Sequence, residues 1–230
     1  MLPARGSQIV NITYWFRLAG VAFALAAATP AAQAALVSYA DDRSGFVANT
    51  GATSIGSFPT GVGPVGSLSV GGVTLTTDSG GLFFGNFSSR VPGNEMILSG
   101  PEDFHVTLPS GVFSIGFDLY EPTFGGASGC NTTTCVDDNF SVEVFAGSTS
   151  LGSFTYDAPD DDGTAPVAPL GFFGVHSCVA FNRVVVRDVT GNLDNEMFAN
   201  FLKGSTPIPA VQCTTPAAGI SWGRLKILYR

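Results

Sequence analysis

The chain has 230 residues, enough for one substantial domain with little room for a second. It carries 10 Lys and Arg against 18 Asp and Glu, a net charge of −8. A field of that sign repels nucleic acid and anionic lipid, so nucleic-acid binding is excluded.

Arg17 precedes an apolar run from Leu18 to Ala28, and Ala32-Gln33-Ala34 is the small-x-small pattern that signal peptidase accepts. Residues 1–34 therefore read as a signal peptide cut between Ala34 and Ala35. The run is too short for a membrane span. A buried N-terminal helix is the competing reading, and the stretch before Arg17 is long enough that translation could start later than Met1. Losing Arg5 and Arg17 with the signal leaves 8 basic against 18 acidic residues, a net of −10. Only 12% of residues are charged, while Gly and Phe number 29 and 19. That composition is not a disordered one and suits many short strands joined by tight turns.

In chain order, the Gly-rich stretch 51–66 reads as a loop or frayed edge. "SLSVGGVTLTT" alternates apolar and polar residues around Gly71-Gly72, a two-residue hairpin turn. "DFHVTL" puts Phe104, Val106 and Leu108 on one face, with His105 on the other, toward solvent. After a turn at Pro109-Ser110-Gly111, "VFSIGFDLY" puts Phe113, Ile115, Phe117 and Leu119 on one side. "NFSVEVFAGSTSLGSFTYD" reads as a hairpin with Phe140, Val142, Val144, Leu151 and Phe154 inward. "AFNRVVVRDV" is a further strand, with His176 in the loop "GVHSC" before it. Residues 194–203 carry a helical stripe of Met197, Phe198, Phe201 and Leu202, but their place at the end of a strand series favours a closing strand. Turn signals every 8–12 residues predict an all-β domain over 35–204, an antiparallel β-sandwich of jelly-roll-like form. Residues 205–230 form a C-terminal tail.

Cys130 and Cys135 bracket a short polar loop, and a disulfide there would stabilise by roughly 2 kcal/mol on a chain-entropy basis. A metal site is the rival reading, although no second Cys or His pair stands at ligand spacing. Cys178 and Cys213 are the remaining pair, and their joining is left open because Cys213 lies in the tail.

The chemistry-bearing residues are sparse. No nucleophile elbow, phosphate loop or zinc-binding His-Glu-x-x-His occurs. Cys178 and His176 lie two residues apart without an identified orienting partner. Asp118 and Glu121 are the best carboxylate pair for glycoside hydrolysis, with strand-end solvation as the plainer reading. Asp137-Asp138-Asn139 and Asp160-Asp161-Asp162-Gly163 offer oxygen clusters of the kind calcium takes, although neither has the twelve-residue calcium-loop spacing and solvated acidic turns read the same way. No other cofactor is indicated. Tyr120, Tyr156 and Trp222 are the aromatic candidates for stacking on a sugar ring.

"DDRSGFVANTGATSIGSF", "FSIGFDLYEP" and "GFFGVHSCVAFNRVVVRDVTGNLDNEMFANFLKGSTPIPA" together resemble the PEP-CTERM, exosortase-sorted group of secreted bacterial proteins. The resemblance covers most of Asp41 to Ala210. Thr206-Pro207-Ile208-Pro209-Ala210 is similar to the Val-Pro-Leu-Pro-Ala form of that group's sorting motif. The group then carries an apolar segment and a terminal Arg cluster. Here Gln212, Cys213, Thr214, Thr215, Pro216, Ser221, Arg224 and Lys226 interrupt any such span. The tail reads either as a damaged, frame-shifted sorting signal or as an ordinary C-terminus with a chance Pro-x-Pro. A second departure is Ala199, where the group commonly has an Asp.

The resemblance implies a protein of a Gram-negative bacterium, handled by signal peptidase and an exosortase and secreted to the cell surface or extracellular matrix. Its implied role is non-catalytic, associated with exopolysaccharide or biofilm, and the aromatic candidates add carbohydrate binding as a reading of the residues. An exported glycan-active hydrolase using Asp118 and Glu121 is the alternative, and a structural subunit of a surface layer is a third reading.

Overall fold

Most strands of this chain owe their existence to period-two alternation of apolar and polar side chains, which buries one face of a pleated ribbon. The computed structural model describes residues 36–88, 90–122, 139–161, 170–189, 196–210 and 212–213, without the side chains of Asp160 and Asp161. The signal peptide, Cys130, Cys135, Asp137, Asp138, Asp162 and Trp222 lie outside the described residues.

The strands are β1 (Leu36–Ala40), β2 (Thr53–Ser54), β3 (Val62–Val65), β4 (Ser67–Val70), β5 (Val73–Thr77), β6 (Leu82–Gly85) and β7 (Glu95–Leu98). They continue with β8 (Phe104–Pro122), β9 (Asn139–Ala146), β10 (Thr149–Asp157), β11 (Asp160–Asp161), β12 (Gly171–Asp188) and β13 (Met197–Gly204). One helix, α1 (Arg43–Thr50), follows β1. Two of the strands are long. β8 runs 19 residues and β12 runs 18, and they pair antiparallel in both halves.

The first half of β8 pairs with β5, and the second half of β12 pairs with β9. The second half of β8 pairs with β13, and the first half of β12 pairs with β1. The ladder therefore divides into two layers. Layer one runs β4-β5-β8-β12-β9-β10, and layer two runs β1-β12-β8-β13-β7-β6-β3 with β2 on the end of β13. Both long strands bend from one layer into the other. In β8 the bend is Pro109-Ser110-Gly111, where Pro109 offers no N–H and Gly111 has φ +78°. In β12 the register shifts between His176 and Arg183 mark it. The expected sandwich is present.

The inner faces of the two layers meet in one apolar core. Phe104 and Phe140 of layer one lie 4.8 and 5.6 Å, centroid to centroid, from Phe198 of layer two. Phe117 and Phe201 stack at 5.2 Å beneath them. Val73, Leu75, Val106, Val142, Val144, Val184 and Val186 complete the layer-one side.

Layer two also covers part of its outer face. α1 starts on Asp42, whose Oδ1 accepts from the Gly45 N–H at 2.8 Å, and ends on Gly51 in the left-handed region. Its one buried large apolar residue, Phe46, packs with Tyr39, Ala52, Phe172 and Leu202. Gly116 and Gly174 face each other across β8 and β12, and there the rings of Phe46 and Phe172 lie against bare backbone. A Cβ on Gly174 would come 2.7 Å from the Phe46 ring, and one on Gly116 the same distance from Phe172.

The segment after β13 stays on the domain. The Ile208 side chain is buried, its N–H donates to the Ser177 carbonyl at 3.2 Å, and Cys213 is disulfide-bonded to Cys178 across 35 positions of sequence. The pairing left open by the sequence is thus made.

Four expectations change. The expected turn at Pro109–Gly111 is a bend inside one strand, and Val112 rather than Phe113 enters the core there. His176 lies in β12, not in a loop. α1 was not foreseen, because a two-turn helix with one buried aromatic shows no periodicity. Within 51–66, where a loop or frayed edge was expected, the chain forms β2 and β3 and sends Ile55 and Phe58 into the core. The Gly71-Gly72 hairpin, the β9–β10 hairpin and the closing strand β13 stand as read.

Phe198→Ala removes the ring that touches both Phe104 and Phe140. We expect it to lower the unfolding free energy by about 3–5 kcal/mol in urea titrations. The double change Cys178→Ser, Cys213→Ser removes a closed loop of that length and is expected to cost about 2–4 kcal/mol by the same measurement.

Candidate functional site

The edge of layer two farthest from β1 carries a shallow open trough lined in part by aromatic side chains. β3 and β6 pair there, with Val62 opposite Phe84 and Val65 opposite Leu82. Leu82 and Phe84 point into the core, so alternation turns Phe83 outward. Past the end of β6 the chain turns through Asn86, Phe87 and Ser88. The turn is held by Glu95 of β7, a fully buried carboxylate. Its Oε2 accepts from the Phe87 N–H at 2.7 Å and the Ser88 N–H at 2.9 Å, and its Oε1 accepts from the Ser88 hydroxyl. Charge-assisted bonds of this kind are the stronger ones; two of them fix the backbone that presents Phe87 and the third holds the Ser88 side chain.

Phe87 is 41% exposed and its ring lies over Gly85, where a Cβ would stand 3.1 Å from it. Across the gap, Asn94 Nδ2 donates to the Phe58 carbonyl at 2.7 Å and to the Thr60 hydroxyl at 2.8 Å, tying down the opposite rim. Between the rims lies a shallow trough of about 370 Å³, lined by Thr60, Gly61, Val62, Phe83, Asn86 and Phe87. Its lining combines the Phe83 and Phe87 side chains with the amide of Asn86 and the hydroxyl of Thr60.

The aromatic candidates read from the sequence are elsewhere. Tyr120 and Tyr156 are core residues, and the Tyr156 hydroxyl donates to Asp41 Oδ1 at 2.7 Å. Neither presents a ring to solvent. "GLFFGNF" held the signal that was missed: of two adjacent Phe in a strand one must face outward, and Phe87 follows directly after the Gly-Asn that ends it.

Asp118 and Glu121 do not form a pair. Strand alternation puts Asp118 on the outer face of layer two and Glu121 on the inner one, so they cannot flank a single glycosidic bond. Asp118 is almost wholly buried, with a side chain 4% exposed. Its Oδ1 lies 3.2 Å from Arg43 Nε, and its Oδ2 accepts from Asn200 Nδ2 at 2.8 Å. Asn200 reaches it from a bulge in β13, with φ +48°. Burial raises the Asp118 pKa above the ordinary carboxylate value, opposed by the Asn200 hydrogen bond and the Arg43 charge. Ala199, where the resembled group has an Asp, sits directly across from Asp118, so a carboxylate there would face a buried one.

His105 turns outward as read and meets Asp78 Oδ1 at 2.6 Å, while Arg187 bridges Asp78 and Asp103 at 3.3 Å each. His176 is buried and its Nε2 pairs with the Thr206 carbonyl at 2.8 Å. Its supposed partner Cys178 is consumed in the disulfide, so no Cys–His nucleophile exists there. Of the acidic turns, Asp160 and Asp161 form β11 beside Glu121 and Pro122. Among the described residues no three His, Cys, Asp or Glu side chains converge as a metal site. Of Pro207, Ile208, Pro209 and Ala210, Ile208 is buried and donates its N–H to the Ser177 carbonyl of β12, while the other three are exposed.

No family model and no curated protein matches the chain. Among solved structures, the enzymatically active domain of bacteriophage CBA120 tailspike protein 4 is similar over 65% of this chain at 17% identity, with a TM-score of 0.36. The similar region spans about a fifth (21%) of that chain. TmCBM61, solved in complex with β-1,4-galactotriose, is similar over 57% of this chain and 81% of its own at 14% identity, with a TM-score of 0.26.

A raised carboxyl pKa means that the native state holds the Asp118 proton more tightly than the unfolded chain does. Asp118 therefore favours the fold most in acid, and that contribution declines as pH rises from the ordinary carboxylate range through its folded pKa. Asp118→Asn abolishes the decline. Urea unfolding should show the variant faring better against the wild type at pH 7 than at pH 4.

Proposed function

We propose that this is an exported, non-catalytic glycan-binding protein of the bacterial cell surface or extracellular matrix, associating with exopolysaccharide through the Phe83–Phe87 trough. The observation that carries this reading is the exposed Phe87 ring, seated on Gly85 and held by the buried Glu95 carboxylate. A sugar ring has an apolar face of C–H groups and a rim of hydroxyls. An aromatic shelf with Asn86 and Thr60 in the same lining meets both. Because the backbone of the shelf is fixed by two hydrogen bonds to one carboxylate, little ordering is left to be done on binding.

Export rests on the signal-peptide pattern of residues 1–34, with signal peptidase as the partner that removes it and an exosortase as the enzyme suited to the Pro207–Ala210 motif. The disulfide at Cys178–Cys213 suits an oxidising compartment.

The test is a pull-down of the chain from Ala35 onward against a panel of extracellular polysaccharides, with and without calcium. The wild type should be retained saturably by at least one polymer. Phe87→Ala should weaken that retention about tenfold, because losing an aromatic anchor costs on the order of 1–2 kcal/mol. Equal retention of the two proteins overturns the trough as the site.

A further inference from the structure

A second opening lies where β8 bends between the layers. It has a volume of about 230 Å³ and is lined by Thr53, Ser110, Gly111, Lys203, Gly204 and Ser205, with Pro109 and Val112 at its base. It shares no residue with the Phe87 trough. Its polar complement is one ammonium and three hydroxyls. No Asp or Glu lines it, in a chain that carries 18 of them.

Each donor is placed by the fold. Lys203 is the penultimate residue of β13, and Thr53 of β2 is its direct cross-strand neighbour, so both side chains start from adjacent positions on the pocket wall. The half-buried Lys203 side chain reaches from layer two to layer one, where Nζ donates to the Gly71 carbonyl of the β4–β5 turn at 2.5 Å. An ammonium has three donors, and one carbonyl leaves two for a ligand in the pocket that Lys203 lines. Ser110 comes from the bend of β8 and Ser205 from the residue just past β13. Positive charge with hydroxyl donors and no competing carboxylate suits a single anionic group. The volume admits a ring beside it.

We propose that this pocket binds the carboxylate of an acidic sugar, a uronic acid unit of an extracellular polymer, with Lys203 as the charge partner and Thr53, Ser110 and Ser205 contacting its oxygens. The proposal goes beyond the neutral stacking shelf at Phe87 and names a charged ligand class.

The experiment is isothermal titration of the mature chain with galacturonate oligomers, with galactose oligomers, galactose sulfate and inorganic phosphate as comparison probes. Galacturonate is expected to bind, and its affinity should fall at least tenfold in Lys203→Met and in 0.5 M salt. Lys203 also ties the two layers together, so Ser110→Glu provides a second variant. It puts a carboxylate on the exposed bend without touching the Gly71 contact, and should abolish binding while thermal unfolding is unchanged. Phe87→Ala should leave uronate binding at this pocket intact, which separates this proposal from the trough. Unaltered galacturonate affinity in Ser110→Glu overturns the proposal, as does binding of galactose oligomers as tight as that of galacturonate in the Phe87→Ala protein, where the trough is disabled. Tighter binding of sulfate or phosphate than of galacturonate overturns the assignment to a carboxylate.

Discussion

β8 and β12 remain hydrogen-bonded to each other on both sides of a bend, and every other strand takes its place from that pairing. Because both strands change layer together, each layer inherits two central strands already in register. The partners then need only add at the edges, as β5 and β9 do in one layer and β13 and β1 in the other. The constraint also sets the length of the core. Aromatic residues carried on the near and far arms of β8, Phe104 and Phe117, end up facing one another at 6.4 Å.

The two layers differ in what they do with their outer faces. Layer one leaves His105, Arg183 and Arg187 on its outward side, with the Arg183 guanidinium 3.9 Å over the Phe145 ring. Layer two buries much of its outer face beneath α1 and the segment around Val91, and so must accommodate polar groups out of water. It does so by pairing them: Asp118 with Arg43 and Asn200, and Glu95 with the turn at Phe87 and Ser88. A buried carboxylate that accepts several N–H groups fixes those groups as firmly as it is itself satisfied. The Phe87 shelf inherits its rigidity from that cost of burial.

How far the sequence disclosed this depends on the range of the interaction concerned. Phe104, Val106 and Leu108, or Phe140, Val142 and Val144, were legible because alternation is a local property that burial enforces. Gly71-Gly72 was legible because a tight hairpin requires positive φ, which glycine supplies at low strain. Pro109-Ser110-Gly111 was misread because a bend within a strand and a turn between strands call for the same residues. Only pairing with β12 on both sides tells them apart. α1 had its Asp42 and Gly51 caps in plain view, but eight residues with one buried ring give no helical stripe. The candidate site was the least legible part. The adjacent Phe83 and Phe84 say that one ring turns outward but not which, nothing local says that Tyr120 and Tyr156 are buried, and the Lys203 pocket joins positions from three separate segments of chain.

The Cys178–Cys213 bond has a mechanical meaning. A force pulling the C-terminal end away from the N-terminal strand follows the shortest covalent route, which enters at Cys213 and passes straight to Cys178 in β12. Residues 179 to 212 lie off that route. β13, whose neighbours include β2, β7 and β8, therefore bears no tension through its own backbone, and neither does Lys203 within it. With the bond reduced, the same pull would strip Ile208 from β12 and then load β13 from its free end. Thus the sulfur bridge lets the domain be tugged by its tail while the part that closes layer two stays slack.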